Sequence, residues 1–289
     1  MENLDLMNIR KLFYFKFNSS LLRNILSLRF REDHFYKIPF GAIKGTKLYY
    51  RKDINFHATM GVWEKESMQA LNRVFYRFGL NQPDKVIADV GANIGYYSLF
   101  FSKYLDPSSQ IFAFEPSSSI LPVLRKNLMI NNVSNVKVLD LAVADHTGRD
   151  EFFIGEHHHQ SSLLGDFAEN AIKGTKTVVA TTTLDYYFEQ FNQGRYPDLI
   201  KMDIEGGGIY ALKGCINCLT QKRPFILMES HNPAEDHAVS HVLLQYNYEA
   251  FRVLSKQWVK HKDAGYTDPY GVWGTMLLMP AERKGEFIN

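Results

Sequence analysis

The run Val86-Ile-Ala-Asp89-Val-Gly91-Ala92-Asn93-Ile-Gly95 ends an apolar stretch in an acid and follows it with two glycines. Such a turn closes tightly and brings backbone close to whatever lies above the strand end. A dinucleotide turn would carry a glycine where Asn93 stands, and a carboxylate before the glycines suits an ammonium group better than a phosphate. In the next apolar run, Phe112-Ala-Phe-Glu115-Pro116, an acid again closes the stretch. There it can accept hydrogen bonds from two ribose hydroxyls. Together the two acidic strand ends point to S-adenosylmethionine; a structural turn with two solvated acids is the alternative.

A third acidic strand end follows at Leu199-Ile-Lys201-Met-Asp203-Ile-Glu205-Gly206-Gly-Gly208, and a fourth at Met228-Glu229-Ser230-His231. Strand carboxyl ends meet where ligands bind in a doubly wound sheet, so these groups should share a rim with the first turn. An alcohol is a poor nucleophile and needs a base to take its proton. His231 and Asp203 are the leading candidates for catalysis, with Glu229 next; a capping role for His231 and a turn-holding role for Asp203 compete with this. Asp203, Glu205, Glu229 and His231 would be the set for a divalent ion, but no metal site is assigned. The polar stretch Gly155–Gly174 contains His158, His159, Ser161 and Ser162. These could reach a substrate from a loop, although solvated loop residues are the simpler reading and adjacent histidines diverge too much to share one ion. Cys215 and Cys218 fall inside an apolar helical pattern and read as structural.

The elements that must position these groups alternate. Candidate buried strands lie at 85–90, 110–114, 136–139, 199–203 and 224–228, with helical patterns at 96–105, 117–131, 183–192, 208–220 and 235–246 between and after them. That alternation predicts a mostly parallel α/β sheet with helices on both faces. A helix over 65–78 precedes it, 47–56 reads as a strand or hairpin, and 249–254 with 273–279 would close the sheet as a final pair.

These motifs resemble the FkbM family of S-adenosylmethionine-dependent O-methyltransferases. The resemblance rests on Asp89 to Gly95 with the following Tyr-Tyr-Ser, Phe114-Glu115-Pro116, Ala142-Val-Ala-Asp145 with Gly148, and Thr183-Leu-Asp185. Lys201-Met-Asp-Ile-Glu-Gly206 with Leu212-Lys-Gly214 completes it. It implies the class I methyltransferase fold, a Rossmann-like sheet of seven strands with the last antiparallel. It also implies methyl transfer to a hydroxyl of a saccharide or secondary metabolite. Cofactor contacts would fall at Asp89, Gly91, Ala92, Asn93, Gly95, Glu115, Ala142 and Asp203. The family's last motif runs acid-Gly-x-acid, and here Gly208 stands in place of the second acid. That change could remove a contact, shift it to a neighbour, or mark a weakened enzyme.

The 289 residues are 45% hydrophobic and 22% charged, which suits a soluble chain with a substantial core. No apolar run is long enough to span a bilayer. Two cysteines build no disulfide framework, and a cytoplasmic location is the expectation. The formal charge of +2 argues against a dedicated nucleic-acid binder. Its distribution is uneven, +5 over residues 1–50 and −3 over the rest, with no acid from Ile9 to Arg31. This predicts a basic amphipathic extension, 1–58, before a methyltransferase domain, 59–289. Residues 9–31 could dock to an anionic membrane surface, to a sister subunit or to the chain's own body. The partner expected is a small-molecule or glycan acceptor, not nucleic acid. A binding scaffold without turnover is the rival of a different class.

Overall fold

Five apolar runs become the parallel centre of one sheet, because strands covered on both faces must be apolar throughout. The computed structural model describes residues 30–51, 57–61, 63–154, 175–231, 233–259 and 274–288. Contacts divide the chain into two compact units, Met1–Trp63 and Glu64–Asn289. In the first, β1 (His34–Lys37) pairs antiparallel with β2 (Lys47–Tyr50). Tyr50 is buried there against Phe30, Tyr36 and Met60.

The second unit opens with α1 (Lys65–Arg77), which buries Met68, Leu71, Val74 and Phe75 at helical spacing. The core strands are β3 (Val86–Val90), β4 (Gln110–Phe114), β5 (Val136–Leu139), β9 (Leu199–Met202) and β10 (Phe225–Ser230). β11 (Tyr248–Arg252), β12 (Gln257–Trp258) and β13 (Gly274–Pro280) complete the sheet in the order β12-β11-β13-β10-β9-β3-β4-β5. Pairing is parallel from β10 through β5 and antiparallel at β10–β13 and β13–β11. This is the class I methyltransferase sheet. It has one strand more than the seven expected, because the chain after β11 turns back and pairs Phe251 with Trp258 and Arg252 with Gln257.

Helices α2 (Tyr96–Tyr104), α3 (Leu121–Ile130), α4 (Leu184–Phe191), α5 (Gly208–Lys213) and α6 (Pro233–Gln245) follow strands in sequence, and a short α7 (Lys284–Ile288) comes after β13. The Thr183 hydroxyl accepts the Tyr186 N–H and starts α4. Tyr187 and Phe188 of that helix meet Phe112 and Phe114 of β4 edge to face, at centroid distances of 5.1–6.5 Å. Each such pair adds about 0.5–1.5 kcal/mol to the burial itself.

Two expectations need correcting. The helix expected over 208–220 stops at Lys213, and a π-helical turn (Cys218–Lys222) follows the break. A Cβ at Gly214 would lie 2.2 Å from the Ala144 carbonyl oxygen, so the chain passes too close there for a regular helix with side chains. A separate three-stranded sheet, β6 (Ala142–Val143), β8 (Thr175–Thr182) and β7 (Gly148–Ile154), was not anticipated. The stretch 155–174 between β7 and β8, with His158, His159, Ser161 and Ser162, lies outside the described residues, as does most of 9–31. Cys215 and Cys218 are free and buried in the main core. Among the described residues no helix is long and apolar enough to cross a membrane.

Candidate active site

The winding of the sheet reverses between β3 and β9, and the acidic turns meet at that switch point. From β3 the chain proceeds outward to β4 and β5, then returns to β9 and β10 on the other side. Asp89 ends up wholly buried. Its Oδ2 accepts the Ser98 hydroxyl at 2.6 Å, while Oδ1 accepts no hydrogen bond and faces the Lys201 ammonium at 3.8 Å. Burial raises the Asp89 pKa against the opposing pull of Lys201 and Ser98.

Lys201, from β9, is the hub. Its ammonium donates to the Gly91 carbonyl at 2.9 Å, lies 3.7 Å from Asp203 Oδ2, and stands 4.9 Å from the centre of the Tyr97 ring. Burial alone would lower the Lys201 pKa, but Asp203, Asp89, Glu229 and Glu64 outweigh it and the net direction is upward. A lysine buried in a parallel strand is tolerated only with such partners.

The two glycines of the first turn are explained by protein, not by an open cradle. Gly91 has φ +73°, and a Cβ there would lie 1.9 Å from the Asp203 carbonyl oxygen. Gly95 has φ +84° and is approached by Leu124. The backbone approach expected at Gly91 therefore joins two turns of the site to each other. The N–H groups of Gly91 and Ala92 both donate to the Phe114 carbonyl at 3.0 Å. Asn93, itself in the left-handed region at φ 49°, donates its N–H to Glu115 Oε2 at 2.8 Å. The other Glu115 oxygen accepts the Ser117 N–H. Burial pushes the Glu115 pKa up to about 7, with these two N–H donors opposing. Ala142 lies in the separate sheet, paired with Thr181 of β8.

On the other side of Lys201, His231 Nε2 lies 3.4 Å from Asp203 Oδ1 and 3.6 Å from Glu205 Oε2. Its Nδ1 faces Glu235 Oε2 at 3.6 Å, and its backbone N–H donates to that same oxygen. Burial works to lower the His231 pKa, yet Glu235, Asp203, Glu205 and Glu229 carry it up to about 9. Burial raises Glu205 to about 7, partly opposed by His231, and raises Glu229 to about 8 with help from Asp203 and Glu64. Glu64 accepts the hydroxyls of Ser67 and Tyr97 and is itself raised by burial.

Asp203, Glu205 and His231 are also, among the described residues, a group whose ligand-capable atoms all lie within 4.8 Å of one another. Two cations of the chain's own already face those oxygens. A divalent ion would have to displace the proton of His231 first. A surface cleft lined by Asp84, Arg195, Asp198 and Lys222 opens at the amino ends of β3 and β9, the opposite rim from this chemistry.

The structure thus brings Asp89, Gly91, Ala92, Asn93, Gly95, Glu115, Asp203, Glu229 and His231 to the carboxyl ends of neighbouring strands. Sequence reasoning gave no role to Glu64 or Glu235, named Tyr97 only within the family motif, and left Lys201 without a role. Lys201 carried a signal, a charge within an apolar strand; Glu64 and Glu235 carried none that singles them out.

A sheet of this order with acids at its switch point defines a class I methyltransferase architecture. The chain belongs to the methyltransferase FkbM domain family, whose model matches residues 89–253. It is 27% identical over 167 residues to the 2-O-methyltransferase NoeI of Sinorhizobium fredii, covering 52% of this chain and 65% of that one. It is 23% identical over 194 residues to Methyltransferase 1 of Beauveria bassiana, covering 61% and 76%. Among solved structures it is similar to precorrin-6y C5,15-methyltransferase from Geobacter metallireducens. That match has a TM-score of 0.40 at 13% identity and covers 75% of this chain and 87% of that one.

Proposed function

We propose that this chain is an S-adenosylmethionine-dependent O-methyltransferase whose acceptor is a hydroxyl of a saccharide or secondary metabolite. The observation that carries the reading is the meeting of the Asp89–Gly95 turn, Glu115 and the Asp203–His231 cluster at one switch point. The residues present fit the cofactor. Asn93 Oδ1 is buried without a hydrogen-bond partner, and each Glu115 oxygen accepts one N–H, which leaves lone pairs for ribose hydroxyls. Glu205 and Glu229 hold their protons up to about pH 7 and 8, and a positively charged ligand beside Asp203 can take the place of those protons. The relative described as a 2-O-methyltransferase supports oxygen as the accepting atom.

S-adenosylmethionine, when bound, supplies an electrophilic methyl group. What the chain adds is alignment and a place for the proton. Alignment of two bound reactants can lower the barrier by about 7–11 kcal/mol. In its neutral form, populated as pH rises toward its midpoint near 9, His231 Nε2 takes the hydroxyl proton, and Asp203 and Glu205 hold the imidazolium that results. Residues 1–58 are proposed as a basic extension, and residues 9–31 as the part that meets an anionic membrane surface or a second copy of the chain.

The test is a thermal-shift titration with S-adenosylmethionine, S-adenosylhomocysteine and NAD side by side. Cofactor at about 100 times its dissociation constant should add roughly 2.7 kcal/mol, several degrees for a domain of this size. A shift with the first two and none with NAD is expected, followed by S-adenosylhomocysteine formation on a panel of glycan and metabolite acceptors. His231→Ala should leave that shift intact and lower turnover by about 100-fold. A shift with NAD alone would overturn the assignment. Binding without transfer to any acceptor would instead favour the scaffold.

A further inference from the structure

Gly208 leaves position 208 without a side chain, and the space beside it is occupied. A Cβ there would lie 2.8 Å from Glu235 Oε1 and 2.4 Å from Met228 Cε. Glu235 comes from the first turn of α6 and is 1% exposed. Its Oε1 accepts the Gly208 N–H at 2.9 Å, and its Oε2 accepts the His231 N–H at 2.6 Å while facing His231 Nδ1 at 3.6 Å. The next residue, Asp236, is buried against Arg252 at 3.0 Å, which anchors that end of α6 to β11.

We propose that Glu235 is the positioning residue for His231, delivering from α6 the carboxylate that position 208 lacks. A buried carboxylate is costly unless each oxygen is satisfied, and here one residue joins the turn after β9 to the end of β10. Glu235 Oε2 facing Nδ1 favours the neutral tautomer that carries its proton there, against the pull of Asp203 and Glu205, which face Nε2. This rests on His231 being the proton acceptor. A neutral amide in place of the acid would present an N–H to Nδ1, move the imidazole proton to Nε2 and block the base. Gly208 is then no sign of a failed site, because the charge is retained in space and relocated in sequence.

The experiment uses the full-length chain and two variants, E235Q and the paired G208E/E235A. The imidazole of His231 is titrated by NMR in the absence of cofactor, with Asp203, Glu205, Glu229 and residue 235 as the charged groups that face it. E235Q is expected to lower the His231 midpoint by about one pH unit or more. It should also lower kcat about 100-fold with little change in KM. The paired variant should return the midpoint to within about half a unit of the parent. A folded E235Q with an unmoved midpoint overturns the proposal. If E235Q does not fold, the paired variant decides alone, and a midpoint lower by about a unit or more is the overturning result. A chain that transfers no methyl group to any acceptor would remove the O-methyltransferase reading, while the His231 titration would still decide the role of Glu235.

Discussion

Glu115, Glu205, Glu229 and His231 hold a proton more tightly than their side-chain types do in water, with values near 7, 7, 8 and 9. The sign follows from linkage. Each folded value lies above its unfolded one, so the folded chain binds more protons from about pH 4.5 to 9, and their contribution to stability falls as pH rises through that window. A cation bound at the rim competes with those protons, and its affinity therefore rises with pH. S-adenosylmethionine carries a sulfonium charge and S-adenosylhomocysteine a neutral thioether at the same atom. The ratio of their affinities should grow by about 2- to 10-fold per pH unit between pH 6 and 8, the upper figure corresponding to one proton released. Calorimetric titration of both ligands at three pH values checks this, and a flat ratio would remove the sulfonium from the acidic cluster. At this scale the acids were legible because each closes an apolar run. Glu64 and Glu235 were not, since helix-leading acids are ordinary and their partners are fixed by contacts across the fold.

Among elements, the turns after β3 and β9 matter most, and Gly91 is where they touch. An alanine at that position would need φ +73° and would place Cβ 1.9 Å from the Asp203 carbonyl oxygen. Gly91→Ala should cost about 3 kcal/mol or more, read by urea unfolding, because backbone strain and overpacking act together. A loss under about 1 kcal/mol would show that the turns can part without harm. The glycine spacing announced a tight turn, but not that the neighbour would be another turn of protein. Likewise the five central strands were readable from their apolar runs, whereas β7 and β8 were not. Arg149-Asp-Glu151 in one, and Thr175-Lys-Thr177 with Thr181-Thr182 in the other, give those strands the polarity of a loop. Helix α5 was read too long because the apolar pattern runs on past Gly214, although a glycine there is a C-cap signal, and its approach to Ala144 is invisible in sequence.

For the whole molecule, the doubly wound sheet delivers groups more than a hundred residues apart to one rim, as with Lys201 and Gly91. Those cross-ties also make the rim a single opening unit. The amides of Gly91 and Ala92 are held by Phe114, the Asp203 amide by Val90, and the Gly91 carbonyl by the Lys201 side chain. No one of these turns can swing into water while the others stay shut, so their amide protons should exchange at one common free energy of opening. A ligand gripping the turn after β4 alone would slow exchange at Asp203 as well, and hydrogen–deuterium exchange with and without S-adenosylhomocysteine would reveal it. Proton traffic at the amide of residue 203 then becomes a reporter for an event on the far side of β3.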